Sequence, residues 1–208
     1  MNSTVSWARR FFSRVIFGLA VLAAGVSPAA GQQVALQLDP AATSVKINLG
    51  AALHGVHGTF QLKQGALQFD PASGKISGEV VVDARSGDTG NSSRDRKMHK
   101  DVLESDRYSE IAFRPNRIEG TVAPQGKSSV KVRGMFNVHG ANHEITVPAE
   151  IDIATDHWTA NLHFTIPYEK WGLKNPSNFF LHVSDSVEID VAAAGSVKNA
   201  PASPGSAQ

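Results

Sequence analysis

Histidine is the residue type best suited to chemistry in this 208-residue chain, which contains 8 of them. Imidazole binds metals and moves protons near neutral pH. His54 and His57 lie three apart, His139 and His143 flank a glycine-containing turn, and His99 falls in a charged stretch. His157, His163 and His182 lie in alternating segments, where His163 keeps the parity of polar neighbours and is expected to face water. His54, His57, His99 and His139 are the candidates for a metal- or haem-associated module. Their spacing argues against a ready-made site, because residues three apart in an extended chain point to opposite faces. No carboxylate adjoins His54 or His57. Without cysteine there is neither a thiolate site nor a disulfide framework. The chain also lacks a Gly-x-Ser-x-Gly elbow and a glycine-rich phosphate loop ahead of a helix. The sequence therefore points to no catalytic residue, no metal and no cofactor, and away from an enzyme.

Charge excludes another class. Lys and Arg number 20 against 19 Asp and Glu, so no basic surface for nucleic acid is implied. Three of the arginines, Arg9, Arg10 and Arg14, precede an apolar run from Val15 to Val26 and the small residues Ala29-Ala30-Gly31. That is the pattern of a secretory signal peptide over residues 1–31, too short to span a bilayer, with the mature chain starting at Gln32 and residing in the periplasm or outside the cell. The series Ala8 to Arg14 also resembles a twin-arginine export signal, without the hydroxyl residue expected before the arginine pair.

The elements that would position any site are strands. Val45, Ile47 and Leu49 alternate with polar residues, and so do Gly58, Phe60 and Leu62. Lys63-Gln64-Gly65 reads as a turn before Leu67 and Phe69, and Asp70 to Gly74 as a second turn. Lys75 to Asp83 is a strand with Ile76, Gly78, Val80 and Val82 in phase. Further strands are expected over Glu110–Ile118, Ser128–Val138, Glu144–Ile153, His157–Ile166 and Phe180–Val191. Residues 195–208 are rich in Ala, Pro, Ser and Gly and read as a disordered tail after a domain over 32–194. About eight alternating strands predict an all-β fold, an antiparallel barrel or sandwich. Closing the sheet into a barrel buries its apolar face and removes its edges.

One stretch breaks the alternation. After Asp83 a polar run from Arg85 to Asn91 reads as a loop. Ser92, with Asp95 three residues on, has the pattern of a capping box opening a short helix to Leu103. Met98 and Val102, four apart, share one face of that helix. It is either a lid over a cavity or a solvated surface helix. Later, Tyr168 and Trp171 sit in a long polar loop and serve either as a plug that seals the core or as a gate that touches a ligand.

The excursion also carries a resemblance. Asp83-Ala84, Thr89-Gly90-Asn91, Arg94-Asp95, Val102-Leu103, Tyr108 and Glu110-Ile111-Ala112-Phe113 resemble the YceI-like family in order and spacing. So do Gly58-Thr59-Phe60, Val138-His139-Gly140 with Glu144 to Pro148, and Ser184 to Ile189. Ser109 after Tyr108 and the segment Pro167 to Gly172 depart from the commoner pattern, which suggests a divergent subgroup. The resemblance implies a secreted, lipocalin-like β-barrel that encloses a polyisoprenoid such as a polyprenyl quinone, alcohol or phosphate. It implies no catalytic residue. A transient contact with the membrane surface and a homodimer are both compatible with it.

Parity gives the lining such a barrel would present to a ligand. From the first half of the chain these are Val45, Ile47, Phe60, Phe69, Val80, Val82 and Phe113. From the second half they are Val132, Phe136, Ile145, Val147, Leu162, Phe164 and Val183. A barrel of this size either holds one ligand or fills with its own side chains, and alternation alone leaves both open.

Overall fold

The structure is a computed structural model that describes residues 33–51, 55–177 and 182–199. The strands, in chain order, are β1 (Val34–Leu38), β2 (Ser44–Ala51), β3 (Val56–Asp70), β4 (Lys75–Asp88), β5 (Glu110–Glu119), β6 (Gly126–Val138), β7 (Ala141–Ile153), β8 (His157–Ile166) and β9 (Val183–Asn199). Among the described residues the single α-helix, α1 (Ser92–Lys97), runs directly into a π-helical turn over Met98–Val102. The candidate signal peptide and His54 lie outside the described residues.

All strands belong to one antiparallel sheet that closes on itself. From β4 the order runs β5, β6, β7, β8 and β9, and the β3–β4 ladder completes the ring. Between β9 and β3, one position is shared by two short strands. β2 pairs with Val56–Phe60 of β3 and β1 with Ala66–Phe69, and both also pair with β9. The ring therefore has eight positions, and every strand finds hydrogen-bonding neighbours on both sides, which removes open edges.

Local chemistry sets the turns. Val138 pairs with Ala141, leaving the two-residue loop His139-Gly140, with φ of 53° and 75°. Positive φ at both positions is the type I′ geometry whose twist matches the flanking strands. At the β3–β4 turn, Asp70 accepts hydrogen bonds from Ala72 N at 3.0 Å and Ser73 Oγ at 2.6 Å, the side-chain-to-backbone pattern that favours Asp in turns. Across the outer face, Glu79 and Arg114 pair at 2.5 Å, and Arg133 pairs with Glu144. Such exposed pairs contribute about 0–1 kcal/mol each.

Several elements differ from the sequence-based expectation. Lys63-Gln64-Gly65 is not a turn; β3 continues through it with a register shift between Leu62 and Gln64. Gly65 fits because Leu38 packs where a side chain would stand. β4 runs on to Asp88, so the polar run after Asp83 is largely strand, not loop. The cap of α1 is Asn91, whose side chain accepts from Ser93 N and Arg94 N; it is not Ser92. Asp95 instead reaches back to Thr89, accepting from its N at 2.9 Å and its Oγ1 at 2.5 Å.

Of the expected tail, Gly195–Asn199 is strand, and residues 200–208 lie outside the described residues. This strand segment continues β9 in register against β1, from Gly195 opposite Leu38 to Asn199 opposite Val34. Gly195 is required there, since a Cβ would stand 1.9 Å from the Gln37 carbonyl oxygen. β1 supplies the pairing partner that makes this extension worthwhile. The expected start of the last strand at Phe180 lies outside the described residues.

Candidate functional site

The inner faces of the strands do not meet across the middle. They enclose an apolar cavity of about 1000 Å³ that reaches from one end of the barrel to the other. This contradicts the alternative of a core filled by its own side chains. The packed regions are instead three clusters arranged around the cavity. One gathers Phe69, Ile76, Ile118 and Val130, a second Phe136, Ile166 and Leu173, and a third Leu38, Leu62 and Trp158.

Strand parity places the candidate lining. Val45 and Ile47 on β2 and Phe60 and Phe69 on β3 border the cavity, as do Val80 and Val82 on β4 and Phe113 on β5. Across the barrel Val132 and Phe136 on β6, Ile145 and Val147 on β7, Leu162 and Phe164 on β8 and Val183 on β9 border it too. Phe136 and Phe164 meet edge to face, with ring centroids 6.3 Å apart. The phase survives because each strand's period of two is preserved between its bulges.

Parity missed β1, whose Val34, Leu36 and Leu38 line the same cavity, and the inner face of β9, Val187, Ile189 and Val191. Both alternate in the sequence, but β1 is only five residues long. It also misses the end of the barrel, because α1 and its π turn obey a different period. Met98, Val102 and Leu103 border the cavity from there, with Arg94 and Lys97 at its rim. The excursion is thus a cover over one mouth. Lys97 Nζ donates to the Pro176 carbonyl at 2.8 Å and so ties the cover to the β8–β9 connection.

The same mouth holds the aromatic loop. Tyr168 is buried, its hydroxyl donating to the Ser184 carbonyl at 2.6 Å, and burial pushes the phenol up to about 12. It lines the cavity with Leu173. Trp171 does not line it; its indole packs on Phe136, with centroids 5.8 Å apart, and stacks on His143. Tyr168 therefore belongs to the wall, and Trp171 packs against the Phe136 cluster at the same end of the barrel.

The described histidines do not assemble. His99 Nδ1 contacts Ser105 Oγ at 3.1 Å and its Nε2 contacts the Gly87 carbonyl at 2.9 Å, so the ring pins the excursion to β4. His139 lies beside Tyr108 and 3.4 Å from Glu104. His57 and His163 face outward, joined through Asn48 and Asp190 by contacts of 2.6, 2.7 and 2.6 Å. Among the described residues, no three His, Cys, Asp or Glu side chains are grouped to hold a metal. What the arrangement offers is apolar enclosure.

The fold has counterparts among solved structures. The crystal structure of Burkholderia cenocepacia BcnA superposes with a TM-score of 0.61 at 19% identity, covering 76% of this chain and 98% of that one. A polyisoprenoid binding domain from Saccharophagus degradans, implicated in plant cell wall breakdown, gives 0.61 at 17% identity, covering 78% and 98%. The Campylobacter jejuni YCEI protein gives 0.58 at 20% identity, covering 70% and 87%. No match is found among curated proteins. At these identities the likeness establishes the barrel, while the sequence over residues 36–194 matches the YceI-like domain. Barrel and sequence agree, and the chain belongs to the YceI-like domain family.

Proposed function

We propose that the protein is a non-catalytic carrier that encloses the chain of a polyisoprenoid lipid in its barrel. The observation that carries this reading is the apolar cavity of about 1000 Å³ running the length of the barrel. An apolar void of that size, at roughly 24 cal/mol per Å³, would cost on the order of 20 kcal/mol, against a typical domain stability of about 5–15 kcal/mol. An occupant that fills the void offsets that cost, and water finds few hydrogen-bonding partners on walls of Val, Ile, Leu and Phe. A hydrocarbon chain meets those walls without loss. Each buried methylene contributes about 0.8 kcal/mol, hence roughly 4 kcal/mol per five-carbon isoprene unit. That exceeds an ordering cost of about 0.5–1.5 kcal/mol for each flexible group immobilised.

Membership of the YceI-like domain family and the likeness to a structure described as a polyisoprenoid binding domain support the same ligand class. The signal-peptide pattern of residues 1–31 supports export to the periplasm, where such a carrier would collect its lipid by brief contact with a membrane surface. Trp158, buried at the cavity wall, provides the test. Titrating delipidated protein with a polyprenyl alcohol should change tryptophan fluorescence saturably, with an endpoint near one chain per barrel. Fluorescence that stays unchanged, with the lipid remaining outside the protein on gel filtration, would overturn the reading.

A further inference from the structure

The two mouths of the cavity differ in charge. At the end formed by the β3–β4, β5–β6 and β7–β8 connections, the lining consists of residues such as Pro71, Val122, Gln125 and Thr155, none of them charged. At the end covered by α1 it includes Arg94 and Lys97. Among the described residues these two are the only charged side chains in the whole lining, and no carboxylate accompanies them. Neither is within ion-pairing distance of an acidic side chain.

Both cations are held in place with donors to spare. Arg94 donates from Nε to Thr89 Oγ1 and from a terminal nitrogen to the Thr89 carbonyl, each at 2.7 Å. Thr89 is itself fixed by Asp95. The second terminal nitrogen of the guanidinium remains available, as do two of the three ammonium protons of Lys97 once Pro176 has taken one. Residues three apart on a helix lie on one face, with Cβ atoms about 5–6 Å apart. That span suits a single phosphate taking charge-assisted hydrogen bonds from both. The nearby carboxylate of Asp95 is turned to Thr89, and that of Asp88 accepts from Gly90 N.

We propose that Arg94 and Lys97 form the headgroup site of the carrier and select a phosphate-bearing polyisoprenoid. The phosphate sits under α1 and the tail runs toward the uncharged mouth. This rests on the carrier reading and gives the ligand a direction and a class: a polyprenyl phosphate rather than a neutral quinone or alcohol.

The test compares a polyprenyl phosphate with the alcohol of equal chain length on the delipidated mature protein, with inorganic phosphate as a competitor. Wild type should hold the phosphate at least about tenfold more tightly than the alcohol. That advantage should shrink as salt rises, since the rim charges are exposed and the screening length is about 10 Å at 0.1 M. Inorganic phosphate alone should compete weakly, because it lacks the tail. In the Arg94→Gln, Lys97→Gln double variant the ratio should fall to about one, whereas Arg94→Lys, which keeps the charge, should retain most of it. Equal affinities in wild type, or an unchanged ratio in the double variant, would overturn the headgroup site while leaving the carrier standing. Failure of both lipids to load would remove the carrier reading and this inference with it.

Discussion

The imidazole of His143 lies flat against the indole of Trp171, with ring centroids 4.0 Å apart and planes within 5° of parallel. The stack braces the wall at the α1 end of the barrel, because the same indole packs on Phe136. Burial holds the His143 imidazole below its ordinary value of 6.5. The folded protein therefore binds this proton less readily than the unfolded chain, and stability rises with pH over the interval. The contribution is complete above about 6.5 and is lost as pH falls from there through the lower folded value. Imidazole NMR should place the His143 midpoint below 6.5, and His143→Phe should flatten the acid side of the stability profile. A midpoint at or above 6.5 would contradict the stacked, desolvated arrangement.

His163 behaves in the opposite sense. Its Nδ1 lies 2.6 Å from Asp190, and that hydrogen bond together with the carboxylate charge raises its pKa above 6.5. The protonated pair is favoured in the folded state. Its contribution is complete below 6.5 and is lost as pH rises through the elevated folded value. Asp190→Asn should bring the His163 midpoint back toward 6.5 by NMR. If the midpoint stays in place, the pairing across β8 and β9 is not its cause.

The register of Gly195 opposite Leu38 gives a stability prediction. Gly195→Ala puts a methyl group into the Gln37 carbonyl, and no flexible side chain is available to yield. The expected loss is about 1–3 kcal/mol, the range for overpacking a close-fitted site. It should be read as a fall in the urea midpoint. An unchanged midpoint would mean that β1 and the end of β9 do not pair as described.

The lining residues yield a prediction about loading. Phe136→Trp or Val132→Trp adds bulk to a wall that borders the cavity, where the folded barrel has room to accept it. Each variant should fold, show the circular dichroism of wild type and carry several-fold less lipid. Full occupancy in a folded Val132→Trp variant would remove that position from the ligand path.

The barrel was legible because a period of two needs no information beyond the residues themselves. Val132 and Phe136 on β6, and Ile145 and Val147 on β7, keep their phase from end to end and border the cavity as parity implies. The hollow was not legible. Alternation shows which face turns inward and says nothing about whether facing side chains touch, which depends on the ring closing with eight positions. The chain around Gly65 misled for a related reason. A Lys-Gln-Gly series has turn chemistry, and only the packing of Leu38 on Gly65 makes it strand. Asn91, Arg94 and Lys97 lie in the excursion singled out from the sequence. Their roles at the mouth, however, depend on how α1 sits over the barrel, a tertiary relationship with no periodic signal.

The central claim, that the barrel holds an isoprenoid chain, is tested most directly by extracting the protein purified from its native compartment into organic solvent and identifying the released lipid by mass spectrometry. The account predicts a polyprenyl species, phosphate-bearing, at close to one equivalent per chain. Repeated extractions that release no polyprenyl lipid, with or without a phosphate, from folded, natively purified protein would contradict it.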